Sequence, residues 1–241
     1  MSLLEVKNLR IEYPSRHGVH AAVKSLSFNI ERGEIVGVVG ESGAGKSTVG
    51  NAVIDLLSPP GRVASGDVFL DGEKIAGLTP EAMRKVRGSK IGFIFQDYSL
   101  LPVLTALENV EFVMQLQGKT ERECRERAMS LLEQVGLAQQ MHKRPSKMSG
   151  GQQQRVAVAR ALAPKPRFVM ADEPTANLDA KSTSELLDIM EQLSEQEGTT
   201  FIFSTHDPRV IKRAHRIIVF EDGRLARDFA NIGSTAEKFH A

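Results

Sequence analysis

The chain has 241 residues, 31 lysines and arginines against 30 acids for a formal charge of +1, and 41% hydrophobic and 25% charged residues, the make-up of a soluble globular protein of one large domain or two small ones. Balanced charge argues against a nucleic-acid protein that works through a broad basic surface, and no apolar run approaches the roughly 18 residues of a membrane span. No secretory signal opens the chain, and the single cysteine, Cys124, excludes an intrachain disulfide and makes a reducing, cytoplasmic compartment the expectation.

The N-terminal segment reads as strands. In Val23–Ile30 the apolar residues Leu26, Phe28 and Ile30 alternate with Ser25, Ser27 and Asn29, the period of a half-buried strand. Asp67–Leu70 followed by Asp71-Gly72 predicts a further strand entering a hairpin. Ile35–Val39, Ile91–Phe95, Phe168–Ala171, Phe201–Ser204 and Ile217–Phe220 are nearly continuous apolar runs, which suit strands covered on both faces in a parallel sheet. Helical patterns lie between them. Thr105-x-x-Glu108, Thr120-x-x-Glu123 and Ser182-x-x-Glu185 have the spacing of capping boxes. Residues 98–163 hold helix patterns and no convincing strand, so they predict a helical subdomain inserted into an α/β core of residues 1–97 and 164–230. Ser58-Pro59-Pro60-Gly61 and Lys165-Pro166 mark loops. His17-x-x-His20 has no acid or thiol at zinc spacing and reads as loop, and residues 231–241 read as a loosely held tail.

Gly40-Glu41-Ser42-Gly43-Ala44-Gly45-Lys46-Ser47 fits G-x-x-x-x-G-K-[ST], and it stands between an apolar strand and a helix pattern marked by Val49, Val53 and Leu56. That context identifies a phosphate loop. Its glycines let backbone N–H groups converge on phosphate oxygens at a helix start. Lys46 would reach the β- and γ-phosphates of a nucleoside triphosphate and the Ser47 hydroxyl would ligate Mg2+. Neither the N-K-x-D guanine reader nor the D-x-x-G switch of a GTPase occurs.

Phe168-Val169-Met170-Ala171-Asp172-Glu173 is an apolar strand ending in two acids. At the C-terminal edge of an α/β sheet, Asp172 can hold a magnesium shell and Glu173 can orient or deprotonate water. Gln96 closes the run Ile91–Phe95 and His206 follows Phe201–Thr205, which puts a carboxamide and an imidazole at equivalent strand ends. Either is ordinarily just a polar loop residue; at this edge they can touch Mg2+, water or a γ-phosphate. A second anion site is predicted at Ser149-Gly150-Gly151-Gln152, where a capping box and two glycines open the helix Gln152–Ala163, stopped by Pro164. The plain alternative is an ordinary helix start; on the inserted subdomain, away from the chain's own phosphate loop, an anion site implies a ligand shared between two chains.

These motifs, with Ala176-Asn177-Leu178-Asp179, appear in the order found in ATP-binding cassette (ABC) ATPases, and the chain resembles the nucleotide-binding subunit of an ABC transporter from residue 3 to about 229. The resemblance implies a single ABC ATPase domain over 1–241, with a phosphate-loop NTPase (RecA-like) α/β core, an N-terminal antiparallel β subdomain and the helical insertion. It implies a head-to-tail dimer of two copies with ATP held between Gly40–Thr48 (Thr48 included) of one copy and Ser149–Gln152 of the other. Glu173 is then the residue that polarises water, His206 the γ-phosphate contact, Gln96 a magnesium, water and coupling residue, and Ser47 and Asp172 the further magnesium ligands. Asp179 lies in a loop that communicates across the dimer, and Tyr13 matches the aromatic that stacks on adenine. Met148 replaces the usual leucine before Ser149.

The resemblance also implies a separate transmembrane permease subunit, docked near Gln96 and the helical subdomain, which holds the ATPase on the inner face of the cell membrane. Residues up to about 95 resemble dipeptide and oligopeptide importer ATPases. From Tyr98-Ser99-Leu100-Leu101-Pro102 onward the chain is similar to lipoprotein-releasing and macrolide-exporting ATPases. A chimera joined near Phe93-Ile94-Phe95-Gln96-Asp97 is one explanation, and a divergent natural member is the other. An ATP-dependent interaction module that dimerises without transport, or a chimera with no matching permease, would carry the same ATP motifs.

Overall fold

The computed structural model describes residues 2–16, 18–41 and 43–231, which fall into two compact units, each taken here by itself. His17, Ser42 of the phosphate loop and the expected tail beyond Asn231 lie outside the described residues.

The first unit comprises Met1–Arg84 and Thr200–Ala241. Its strand β1 (Ser2–Ser15) pairs antiparallel with β2 (Gly18–Glu31) and β4 (Arg62–Leu70), and β4 continues to the short β5 (Glu73–Lys74), in the order β2-β1-β4-β5. Leu4 and Val6 of β1 are buried, and so are Leu9 and Ile11. The switch from even to odd positions is made by a register shift between Val6 and Leu9, where Asn8 takes φ 49°. A bulge there returns the next apolar pair to the same face. The expected hairpin after β4 is present, with Asp71 and Gly72 both at positive φ (54° and 78°), the backbone of a tight two-residue turn.

The same unit holds β3 (Ile35–Val39), buried at every residue, in parallel register with β8 (Thr200–Ser204) and β9 (Arg216–Glu221). An unforeseen strand, β10 (Arg224–Ala230), pairs antiparallel with β9. Helix α1 (Lys46–Val53) follows β3, and the short α7 (Pro208–Arg213) follows β8. Three expectations are corrected here. Leu56 lies beyond α1, which stops before Asp55 at φ 53°, and it is exposed. His20 is not in a loop but on β2 opposite Tyr13, because the β1–β2 hairpin runs nearly to its turn. Asn231 is not loosely held: its Nδ2 donates to the carbonyls of Ile211 at 2.9 Å and Ala214 at 2.8 Å.

Helix α2 (Pro80–Lys90) leads into the second unit, Lys85–Thr199. There β6 (Ile91–Ile94) pairs in parallel with β7 (Phe168–Asp172), accompanied by α3 (Ala106–Gln115), α4 (Glu121–Gln134), α5 (Gly150–Leu162) and α6 (Ala180–Glu197). Residues 98–163 are helical as expected, with no strand among them. The boxes at Thr105 and Thr120 are both closed, each threonine accepting from the N3 amide while the N3 glutamate accepts from the cap amide. Ser182-x-x-Glu185 is not a box. Asp179, a stronger acceptor three residues earlier, caps α6 by accepting from the Ser182 amide at 2.9 Å, and Glu185 instead pairs with Arg155. Arg127 of α4 grips Glu197 at the end of α6 with two bonds (2.8 and 3.1 Å) and the Leu162 carbonyl at 3.2 Å, tying three helices together.

Candidate functional site

In the first unit the phosphate loop leaves β3 directly. Gly40 lies so close to β9 that a Cβ on it would come 2.3 Å from the Phe220 carbonyl oxygen. Gly43 (φ 85°) and Gly45 (φ 99°) adopt backbone that L side chains rarely take. Gly45 is the cap of α1; no side chain caps that end and no acid lies in its first turn among the described residues. A helix start left without a side-chain acceptor presents its amides and positive potential to an anion. Lys46 Nζ is held over the loop by the carbonyls of Gly40 at 2.8 Å and Glu41 at 3.1 Å. Ser47 and Glu41 are exposed, Thr48 is half-buried, and Ala44 is buried as an anchor.

Parallel pairing aligns Val38 of β3 with Ser204 of β8, so Gly40 and His206 leave adjacent strands at the same edge. Beneath the exposed His206, buried Thr205 gives its amide to Val38 O at 3.1 Å and accepts from the Asp207 amide at 3.0 Å, which fixes the bend. Tyr13, half-buried on β1, packs its ring against Gly61: a Cβ there would be 2.7 Å from Cε1.

In the second unit, Ile94 of β6 aligns with Ala171 of β7, which brings Gln96 and the pair Asp172-Glu173 to one edge. Glu173 sits at φ 44°, a left-handed backbone for a bulky acid, and such strain concentrates at functional positions. Its carbonyl accepts from the Ala176 amide at 3.2 Å in the turn that follows. Asn177, whose role no spacing in the sequence reveals, donates from Nδ2 to the Gln96 carbonyl at 2.9 Å.

The helix start expected to bind a second anion carries the capping box its spacing predicts. Ser149 caps α5, its hydroxyl accepting from the Gln152 amide at 3.3 Å while Gln152 Oε1 accepts from the Ser149 amide at 3.0 Å. Beside it stands the start of α6: a Cβ on Gly151 would lie 3.2 Å from the Ser182 hydroxyl, which donates to the Asp179 carboxylate at 2.8 Å. The amide and hydroxyl of Ser182 together hold the Asp179 carboxyl below the usual range.

The residues present fit a magnesium-bound nucleoside triphosphate. The glycine-capped α1 start and Lys46 suit phosphates; Ser47 in the first unit, and Gln96 and Asp172 in the second, each carry an oxygen of the hard kind that magnesium takes.

A family model described as "ABC transporter" matches residues 23–176, and one described as "AAA domain, putative AbiEii toxin, Type IV TA system" matches residues 144–212. The chain is 44% identical over 204 residues to an uncharacterized ABC transporter ATP-binding protein of Thermotoga maritima, covering 85% of both chains. It is 43% identical over 226 residues to the macrolide export ATP-binding/permease protein MacB 1/2 of Paracoccus denitrificans, covering 94% of this chain and 33% of that one. The chain therefore spans about a third of the length of that relative. Among solved structures, the fold is similar to the dimeric post-hydrolysis state of the ATP-binding cassette MJ0796 of Methanocaldococcus jannaschii bound to ADP and Pi, with TM-score 0.84, 37% identity and coverage of 94% and 98% of the two chains.

Proposed function

This chain belongs to the ABC transporter family, and from that premise we propose that it is the ATP-hydrolysing nucleotide-binding subunit of a transporter, acting as a dimer of two copies on a separate membrane permease. The observation that carries the reading is the start of α1, capped by Gly45 and by no side chain among the described residues, with Lys46 folded over its loop. The relative solved as a dimer with ADP and Pi supports hydrolysis and pairing.

In this reading Gly40, Glu41, Ser42, Gly43, Ala44, Gly45, Lys46, Ser47 and Thr48 wrap the phosphates, and Tyr13 stacks on adenine. Lys46 stabilises charge on the β- and γ-phosphates as the terminal bond breaks. Magnesium, when bound through Ser47, Asp172 and Gln96, neutralises phosphate charge. Glu173 accepts a proton from the attacking water or orients it, and His206 hydrogen-bonds the γ-phosphate. Ser149, Gly150, Gly151 and Gln152 offer a second set of amides to the nucleotide of the opposite copy, with Asp179 beside them. Closing the dimer and opening it after hydrolysis delivers the work. The permease would hold the chain at the cytoplasmic face of the membrane.

Glu173→Gln should keep ATP binding and lose about 100-fold in turnover, the scale of a lost general base. Phosphate release at the unaltered rate would remove Glu173 from this role. Co-purification with a multi-span partner separates transport from a soluble, ATP-dimerised interaction module. A recombined chain joined near Phe93–Asp97 is the alternative reading; uniform similarity to one subfamily in successive windows along the chain would remove it, and MacB-type relatives already match 94% and 98% of the chain.

A further inference from the structure

Gln96 and the glycine start of α5 are joined through a segment that has no role in the scheme above. Just past Gln96 the chain takes two consecutive non-glycine residues through left-handed backbone, Tyr98 at φ 62° and Ser99 at φ 46°. Left-handed backbone is unfavourable for residues that carry a Cβ, so the pair persists only where its surroundings hold it. Arg160, in the last turn of α5, donates from Nη2 to the Tyr98 carbonyl at 2.9 Å and from Nη1 to the Ser99 carbonyl. Asp97 offsets part of the desolvation of that guanidinium. Downstream, buried Asn109 of α3 accepts from the Leu101 amide at 2.8 Å and donates to the carbonyls of Leu101 at 3.1 Å and Thr105 at 2.9 Å. Upstream, Asn177 holds the Gln96 carbonyl. The strained pair is thus fixed on both sides and clamped in the middle.

The Tyr98 side chain closes the link. Gly150 is not at positive φ, so its backbone alone would accept alanine. A Cβ at that position would nevertheless stand 2.8 Å from the Tyr98 hydroxyl oxygen, while the ring Cζ would be 3.8 Å away, an ordinary contact. The hydroxyl, and not the ring, excludes a side chain there.

We propose that Tyr98 and Arg160 are positioning residues that lock the loop of Gln96 to the start of α5, and that the Tyr98 hydroxyl is the contact that demands glycine at position 150. The proposal rests on the reading of Ser149–Gln152 as a phosphate-binding end. Amides engaged by a phosphate at that end then share one setting with the Gln96 carboxamide.

A double-mutant cycle in the full chain tests the contact. Gly150→Ala alone should lower both the thermal midpoint and ATP turnover, the latter about ten-fold for a coupling within the usual range for touching residues. In the Tyr98→Phe background the same change should cost no further thermal midpoint, because the 2.8 Å clash becomes a 3.8 Å contact. Additive losses in midpoint overturn the proposal. If Gly150→Ala fails to fold, recovery of folded protein in the double variant is the same positive result, and failure there too overturns the lock. Arg160→Lys keeps the charge and loses the two-pronged grip; it should lower kcat about five-fold or more with KM for MgATP little changed. A raised KM at unchanged kcat counts against the lock. A wild-type chain without turnover would remove the ATPase reading, while the thermal cycle would still decide the contact.

Discussion

At the scale of single residues, the site depends on positions where a side chain would have no room. Gly61 is one that the phosphate chemistry never touches. A Cβ there would meet the Tyr13 ring at 2.7 and 2.8 Å and the Ser58 carbonyl oxygen at 2.9 Å, so the glycine makes room for the ring beside the backbone. Gly61→Ala should therefore tilt Tyr13 and raise KM for ATP about five-fold, the worth of one aromatic stacking contact, with kcat preserved because the γ-phosphate machinery is elsewhere. An effect on kcat alone would argue against Tyr13 as the adenine platform. The phosphate loop was legible because G-x-x-x-x-G-K-[ST] writes its backbone needs into residue types. Gly61 was not, since its reason is a ring that arrives from β1, and neither was Arg160, whose guanidinium serves two carbonyls distant in sequence.

At the scale of elements, strands buried on both faces were readable from apolar runs, and β3 matches its run residue for residue. β10 was not, because only Leu225 and Phe229 among its seven residues are even half-covered apolar positions, which leaves no run to read. The helix starts at Thr105, Thr120 and Ser149 were legible from spacing; that of α6 was misplaced because only Ser182-x-x-Glu185 has box spacing, while the start is taken by Asp179, an acidic cap without a glutamate three residues on. Helix α3 carries two opposed pH effects. The Thr105 amide and hydroxyl hold the Glu108 carboxyl below its usual range, so the stabilisation is present above the ordinary carboxylate pKa of about 4.3 and fades as pH falls through the folded value. Thr105→Ala should cost about 1 kcal/mol near neutrality, and less in acid. Glu111, on the same helix, is pushed upward by burial against the pull of Arg125, with Glu108 and Glu121 adding to the rise. A raised acid favours the folded state while protonated, and that advantage is lost as pH climbs through the folded pKa. Glu111→Gln should therefore raise the thermal midpoint over the parent by an amount that grows from pH 4 to pH 8. A constant difference across that range would mean that the carboxyl is not desolvated.

For the whole molecule the question is why one chain carries two glycine-rich helix starts suited to phosphate. The start of α1 belongs to the first unit and that of α5 to the second. No helix among the described residues is long and apolar enough to cross a membrane; in the proposed role the permease supplies the span. If each nucleotide is held by α1 of one copy and α5 of another, activity belongs to the pair. Turnover per chain should then rise steeply with protein concentration before it saturates, whereas full activity at high dilution would refute sharing. A mixing experiment is stricter. Lys46→Ala spoils the α1 start and Ser149→Arg the α5 start, so each variant alone should be inactive. A heterodimer of the two carries one composite site in which both halves are intact: Lys46 comes from the Ser149→Arg copy and Ser149 from the Lys46→Ala copy. Turnover should reappear on mixing and follow the fraction of heterodimer. If the mixture stays as inactive as its components while both variants still bind their own kind, each chain works with its own two ends, and the shared-site reading falls.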